Sequence, residues 1–301
     1  MKRHSSSLVI ATAVLVSLSA SGCSRPVTAG PRADANAVKE IREKLAAKAD
    51  DSEAESGDSE ESSEAAGWST LSGRFAYVGT PPMPAKIRAD KDPEVCGKHQ
   101  LFDESIVVGP DGGLANTVVF LRTSKPNVHP DYEASAAAQV VLDNHNCRFE
   151  PHVQVLRTSQ TLLVKNSDPV GHNSNFAAAN NGTPNPSIPA GAGIEQKFPK
   201  PEAMPVKIGC NIHPWMGGWL IVRNDPYAAV SDSHGRFKIE KLPAGTELEF
   251  QLWQEKATFL KGVELAGAPG VKVDSKGRFK VKLQPDQTLE LEFRVPAEAI
   301  R

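Results

Sequence analysis

The stretch "GCNIHPWMGG", residues 209–218, places a thiol, an imidazole and a thioether at three-residue intervals in one short segment. These groups belong to Cys210, His213 and Met216, and the strand-like run "GWLIV" follows them. A cysteine ending one strand and a methionine starting the next leave a tight loop whose side chains must point inward. Pro214 stiffens that loop because its ring fixes the backbone. Such side chains are either metal ligands or core residues, and the spacing alone leaves both interpretations open.

Short β-rich runs surround this loop from Trp68 to Asn224. Segments such as "NTVVFLRT", "HVQVLRT" and "QTLLVKN" are typical of strands, and turns rich in Gly, Pro, Asn and Asp separate them. No amphipathic helix interrupts the series, which favours a β-sandwich or barrel over a parallel sheet. We therefore predict an all-β protein whose first folded domain spans 68–224.

A second small β-sandwich is predicted over 225–301. The segment "DSHGRFKIEKLPAGTELEFQL" (232–252) is partly echoed by "DSKGRFKVKLQPDQTLELEF" (274–293). Each copy has a Gly-containing turn, an alternating strand, a second turn and another alternating strand, which predicts two β-hairpins.

The N-terminus carries targeting signals. A basic start and the apolar run "LVIATAVLVSL" (8–18) predict a secretory signal peptide over 1–22. The small residues before Cys23 resemble a bacterial lipobox, although Ala20 stands where Leu is usual. This resemblance implies cleavage before Cys23 and lipid on its thiol. An ordinary signal peptide, with Cys23 an incidental free thiol, is the alternative; in both cases the mature protein leaves the cytoplasm.

Charge and composition predict a tether and argue against one class of partner. The segment "DDSEAESGDSEESSEAAG" (50–67) consists only of Asp, Glu, Ser, Ala and Gly and contains no positive charge. Burial cannot offset its ordering entropy, so we predict a disordered acidic linker over 23–67. The net charge is −2 and no Lys/Arg block occurs, which argues against nucleic acid as a partner.

The chain has four cysteines, and an exported compartment is oxidising. If Cys23 is lipidated and Cys210 holds a metal, Cys96 and Cys147 remain as an even pair that could form a disulfide. Structural zinc is one alternative, because "CGKH" (96–99) and "HNCRFEPH" (145–152) also contain histidines, and two unpaired thiols are the other. These are His99, His145 and His152.

A further histidine completes a ligand set. The segment "VKNSDPVGHN" (164–173) reads as a strand, a polar turn and then His172 followed by Asn173. Copper sites of the cupredoxin type need one thiolate, two imidazoles and a long, weak thioether contact. The pairing of "NSDPVGHN" with "CNIHPWM", in that order, resembles the plastocyanin- and amicyanin-like cupredoxins, including the proline after the loop histidine.

This resemblance covers roughly residues 150–222 and implies a Greek-key sandwich with one type 1 copper ion. The implied copper ligands are His172, Cys210, His213 and Met216. Asn173 would tie the first ligand strand to the cysteine loop. The apolar surface at which a redox protein partner would dock is expected at His213, Pro214 and Trp215.

The function expected from these features is electron transfer without catalysis. We expect a lipid-anchored protein, on the periplasmic side or cell surface of a bacterium, that passes single electrons between exported redox proteins and takes no small-molecule substrate. A copper-delivery protein and a structural protein with a metal-free cupredoxin fold are the alternatives. Residues 225–298, in the predicted domain 225–301, resemble the carboxypeptidase regulatory-like (transthyretin-like) sandwich, chiefly through "SDSHGRFKIEKLPAGTELEFQLW", which implies a packing or interaction module.

Overall fold

The computed structural model describes residues 67–300, and these residues form an all-β structure. The predicted signal peptide, the lipidation site Cys23 and the acidic linker lie outside this range. The described range also contains three short 3-10 helices, at Cys96–Lys98, Pro130–Ser135 and Ala297–Ile300. Within residues 67–300 there is no helix with the length and apolar character that a membrane span requires.

Nineteen strands occur in residues 67–300. In chain order they are β1 (Trp68–Val78), β2 (Val118–Leu121), β3 (Gln139–His145), β4 (Arg148–Glu150), β5 (Val153–Arg157), β6 (Thr161–Asn166), β7 (His172–Asn173), β8 (Asn175–Phe176), β9 (Ser187–Ile188), β10 (Gly193–Gln196), β11 (Val206–Gly209), β12 (Gly217–Arg223), β13 (Ala228–Val230), β14 (Arg236–Pro243), β15 (Glu247–Gln254), β16 (Thr258–Phe259), β17 (Glu264–Ala266), β18 (Arg278–Lys282) and β19 (Thr288–Pro296).

Two β-sandwiches are built from these strands. The terminal sandwich has one sheet in the order β14-β1-β19-β17 and another in the order β13-β2-β15-β16, with β18 also paired to β15. Phenylalanine rings fill the space between its sheets; the rings of Phe279 and Phe293, one from each sheet, have centroids 5.3 Å apart. Such aromatic contacts add to the apolar burial that holds the two sheets together.

The insert sandwich comprises strands β3 to β12, which lie between β2 and β13 in the sequence. Its sheets have the orders β10-β6-β3-β4 and β5-β12-β11-β8, and the short pair β7-β9 completes it. Alternate residues of these strands point into one core, which includes Leu142, Leu162, Ile208 and Leu220. The prediction of two sandwiches is therefore confirmed.

The pairing of β1 and β2 differs from the predicted boundary at Asn224. β1 lies between β14 and β19, antiparallel to the first and parallel to the second, and β2 lies between β13 and β15. The segment expected to extend the first sandwich thus supplies inner strands to the terminal sandwich. Alternating hydrophobicity identifies a strand but says nothing about a partner more than 100 residues away, which is why the sequence placed both strands wrongly.

The two echoed segments share a turn but do not form hairpins. Asp232 and Asp274 each accept hydrogen bonds from the amides two and four residues later, and the following Gly235 and Gly277 have φ of +73° and +72°. A Cβ on Gly235 would lie 2.2 Å from the Phe75 carbonyl oxygen, so only glycine fits. The first segment continues into β14 and β15, and the second into β18 and β19. In each case the two strands lie in opposite sheets, because β14 and β19 pair with β1 whereas β15 and β18 pair with each other. The second turn of each segment therefore crosses the sandwich.

A third apolar cluster joins the sandwiches. Strand β2 is buried on both faces: Val119 and Leu121 face the terminal core, whereas Val118 and Phe120 face the insert. Across this contact Trp219 of β12 meets Trp253 of β15 edge to face, with centroids 5.0 Å apart. The two sandwiches therefore share a desolvated interface.

Candidate metal centre

The loop between β11 and β12 carries three of the predicted ligands. The strands pair antiparallel up to Gly209 and Gly217, so the loop between them is short and closed. The Met216 amide donates to the His213 carbonyl oxygen at 2.9 Å, and the Cys210 amide donates to the Met216 carbonyl oxygen at 3.4 Å. These bonds coil the loop and direct the Cys210 and His213 side chains to its buried side.

The fourth predicted ligand, His172, begins β7 and reaches the same place from a different part of the sandwich. The turn before it is fixed by Asn166, whose side-chain amide donates to the carbonyl oxygens of Val170 and Ile188 at 2.8 and 2.9 Å. Strand β7 then pairs with β9, which fixes the direction of the His172 side chain.

Three predicted ligands converge. The Cys210 Sγ lies 4.0 Å from Nδ1 of His172 and 3.8 Å from Nδ1 of His213. One ligand atom from each of the three lies within 4.8 Å of the others, close enough for one metal ion. All three residues are at most 4% exposed, so the cluster is shielded from solvent.

A carboxylate stands behind each imidazole. The Nε2 of His172 lies 2.9 Å from Oδ2 of Asp168, and the Nε2 of His213 lies 2.8 Å from Oδ2 of Asp92. Each Nε2–H donates to its carboxylate, which leaves both Nδ1 atoms turned to the sulfur as acceptors for a metal. Carboxylates in this position fix the orientation of metal-binding histidines and raise their basicity.

Asn173 holds the two halves of the centre together. Its Oδ1 accepts hydrogen bonds from the amides of Asn211 and Ile212 at 2.8 and 3.3 Å and lies 3.4 Å from Cys210 Sγ. This is the tie between the His172 strand and the cysteine loop that the resemblance implied.

The electrostatics of the cluster favour a thiolate. Burial acts to raise the pKa of Cys210, but hydrogen bonds from His172, His213 and the backbone outweigh it and lower the pKa from 9.0 to about 6. Burial acts to lower the pKa of His172, but Asp168 and the Cys210 sulfur raise it to about 9. In the absence of metal the two groups therefore stabilise each other as a thiolate and an imidazolium, and a bound metal cation would take the place of the proton on Nδ1 of His172.

Met216 and Pro214 complete the ligand loop. Met216 is 3% exposed and shares the core cluster of Cys210, which places it in the same buried region as the three converging ligands. Pro214 is exposed.

The structure differs from the predicted docking surface at one residue, because His213 is fully buried. The segment around Asp92 covers its Nε2 edge, and Trp215 packs against its other side with ring centroids 5.2 Å apart. Asn211, Ile212 and Pro214 are the exposed residues of the loop, and Trp215 is half-buried. The sequence could not indicate this covering because Asp92 precedes His213 by 121 residues.

The Cys96–Cys147 disulfide is present and holds the covering segment, residues 87–101, whose Asp92 covers His213. It joins the helix at Cys96–Lys98 to the turn before β4, and the Trp215 indole N–H donates to the Cys147 carbonyl oxygen at 3.2 Å. The predicted alternative, a zinc site with both thiols, is therefore wrong, because neither sulfur is free to bind an ion. His145 instead pairs with Glu150 and His152 with Glu255, at 2.9 and 2.7 Å.

Sequence reasoning missed both carboxylates. Asp168 precedes His172 by four residues in the quoted turn and also accepts the amides of Asn146 and Cys147 at 2.7 and 2.9 Å. Its position beside a predicted ligand was the available signal. No comparable signal marked Asp92.

Comparisons with protein-family models and with curated proteins found no match. Among solved structures, the chain is similar to a purple cupredoxin from Nitrosopumilus maritimus, with 25% identity over 28% of this chain and 98% of that chain and a TM-score of 0.24. It is also similar to the reduced Cu(I) form, at pH 4, of an amicyanin mutant, with 21% identity over 35% and 98% of the two chains and a TM-score of 0.26. A second amicyanin mutant in the Cu(I) form shares 19% identity with the same coverage and TM-score. These neighbours are cupredoxins, and each likeness covers about a third of this chain.

Proposed function

We propose that this protein binds one type 1 copper ion and carries single electrons between exported redox proteins, without being an enzyme. The observation that carries the proposal is the buried set of His172, Cys210 and His213, with both Nδ1 atoms facing the sulfur. One thiolate and two imidazoles form the donor set of electron-transfer copper sites, and Met216 in the same loop suits the weak axial contact.

The surroundings of this set suit a redox role. The ligands come from a closed loop and a paired strand, and Asp92, Asp168 and Asn173 fix them from outside. Such a framework keeps the ligands in place when the charge of the site changes, which lowers the reorganisation that electron transfer requires. Copper bound here would supply a one-electron exchange between Cu(II) and Cu(I).

We place the protein outside the cytoplasm, tethered through lipid on Cys23. The disulfide between Cys96 and Cys147 supports this, because such bonds persist in oxidising compartments. A redox partner would dock where the ligand loop reaches solvent, at Ile212 and Pro214 beside the half-buried Trp215. Small apolar surfaces of this kind suit brief encounters between electron-transfer proteins.

The test is a visible absorption spectrum of the mature protein loaded with Cu(II), recorded through reduction and reoxidation. We expect an intense thiolate-to-copper band that bleaches, returns and is absent from Cys210→Ser. The matched control is His145→Gln, which changes a half-exposed histidine outside the cluster and should leave the band unchanged.

Two other results would contradict the proposal. A colourless protein that binds copper tightly would favour delivery of copper over electron transfer. Failure to bind copper would mean that the fold serves a structural role.

A further inference from the structure

A cleft of about 670 Å³ lies beside the ligand loop, at the junction of the two sandwiches. Trp215 and Met216 line one side, whereas Asp103, Glu104, His152 and Glu255 supply ionisable groups. Its volume is typical of ligand-binding clefts in proteins. The ionisable groups take no part in the copper centre described above.

His152 presents a buried nitrogen without a partner in this cleft. Its side chain is 9% exposed, and its Nε2 lies 2.7 Å from Oε2 of Glu255, which fixes the ring. Its Nδ1 is buried and makes no hydrogen bond of normal geometry to any atom of residues 67–300. A buried polar atom left unpaired in this way is uncommon and costs stability.

The Glu104 carboxylate faces this nitrogen across a gap. Its Oε1 is bound by Arg148 at 3.1 Å, and its Oε2 lies 3.8 Å from Nδ1 of His152. This separation is too long for a hydrogen bond. It is short enough for both atoms to bind one ion, since zinc bonds to histidine nitrogen and carboxylate oxygen are each about 2.0–2.2 Å long.

The charges around His152 favour a cation. Burial acts to lower the pKa of His152, but the carboxylates of Glu255 and Glu104, with the Gly217 carbonyl, raise it above its ordinary value. Asp103 interacts with the same imidazole from the 101–105 segment. The pocket therefore already stabilises positive charge on the ring, and a divalent ion at Nδ1 would meet the same carboxylates.

We propose that His152 Nδ1 and Glu104 Oε2 bind a divalent transition-metal ion of the zinc class, at a second site separate from the copper centre. Glu255 is the positioning residue that holds the imidazole through Nε2, as carboxylates do behind histidine ligands of zinc. Water entering from the cleft supplies the remaining ligands. The ion would link His152, the residue just before β5 of the insert sandwich, to the segment containing Glu104.

The test is calorimetric titration with Zn²⁺ alone in a Cys210→Ser background, which removes the thiolate of the copper centre. We expect one zinc site that weakens at least tenfold in both His152→Gln and Glu104→Gln. The matched control is His145→Gln, because His145 also pairs with a glutamate, Glu150, but outside the cleft. It should leave the affinity unchanged.

A second readout protects the test against misfolding. Zn²⁺ should raise the thermal unfolding midpoint of the Cys210→Ser protein and fail to do so in Glu104→Gln, whose partly exposed side chain should tolerate the change. If His152→Gln does not fold, Glu104→Gln alone decides. Equal zinc affinity in Glu104→Gln and the His145→Gln control would overturn the proposal.

Discussion

The two carboxylates that bond the metal-facing histidines, Asp168 and Asp92, differ in exposure and in the number of groups they bond. Asp168 is 4% exposed and also accepts two backbone amides, so it organises the whole turn before His172. The Asp92 side chain is 45% exposed and its carboxylate bonds His213. Replacing Asp168 would disturb both the turn and the orientation of the His172 ring. Replacing Asp92 tests the orientation of the His213 ring alone.

We predict that Asp92→Ala weakens copper binding about tenfold, because loss of a carboxylate behind a histidine ligand typically costs about 10–100-fold in metal affinity. The Nε2 edge of His213 would also become exposed. Competition with a copper chelator measures the affinity. Asp90→Ala is the matched control, since Asp90 is an exposed aspartate of the same segment; equal affinities in the two variants would exclude a role for Asp92.

At the scale of single elements, a backbone hydrogen bond and the disulfide hold the covering segment in place. The Ile87 amide donates to the Leu101 carbonyl oxygen at 2.9 Å, and the Cys96–Cys147 disulfide closes a sequence separation of 51 residues. A crosslink over a loop of this length removes much of the freedom of the unfolded chain. Its contribution is therefore measurable.

We predict that Cys96→Ala with Cys147→Ala lowers the free energy of unfolding by about 4 kcal/mol, as the loop length requires. Denaturant unfolding followed by circular dichroism measures it. The parent protein treated with a thiol reductant should lose a similar amount. A loss below about 1 kcal/mol would mean that the loop is already constrained without the crosslink.

A buried tyrosine gives the terminal sandwich a dependence on alkaline pH. The Tyr227 hydroxyl lies 2.8 and 2.9 Å from the carbonyl oxygens of Asn127 and Lys241 and accepts the His129 amide at 3.2 Å. Burial raises the pKa of Tyr227; the hydrogen bond from the His129 amide acts against this, and Tyr132 and Asp225 add smaller contributions that raise the pKa. The stabilisation is complete below the unfolded pKa of about 10 and is lost as pH rises above it.

We predict that the unfolding free energy of the parent falls by up to about 1.4 kcal/mol more per pH unit above pH 10 than that of Tyr227→Phe. The phenylalanine variant lacks the phenol, so it loses this pH dependence together with the hydrogen bond. Denaturant titrations from pH 9 to 11 measure the slopes. Tyr77→Phe, at a half-buried tyrosine of β1, should keep the parental slope; parallel slopes for all three proteins would refute the assignment.

The site was more predictable than the architecture because most of its information is local. Cys210, His213 and Met216 lie in one loop, and His172 and Asn173 follow a recognisable strand and turn. Asp92 and Glu104 reach their histidines only through the folded arrangement of distant segments. A strand's alternation fixes which side chains it buries, but not which strand it joins.

At the scale of the whole molecule, the chain interrupts one sandwich with another. Strand β1 pairs along its length with β19, so the two ends of the described chain meet in one sheet. The insert leaves after β2 and returns at β13, where Phe120 pairs with Ala228 and the Leu121 amide donates to the Tyr227 carbonyl oxygen at 2.9 Å. Insertions between such neighbouring points leave the host fold intact.

We predict that residues 225–301 do not fold alone, because they lack β1 and β2, which are an inner strand of each of their two sheets. A polypeptide in which a two-residue Asn-Gly turn replaces 122–226 restores both strands and should fold, although less stably than the parent because the apolar contact around Trp253 becomes exposed. The dispersion of amide proton signals in NMR spectra distinguishes a folded from an unfolded polypeptide in each case. A dispersed spectrum from 225–301 alone would show that the first two strands are accessories to a self-sufficient terminal domain.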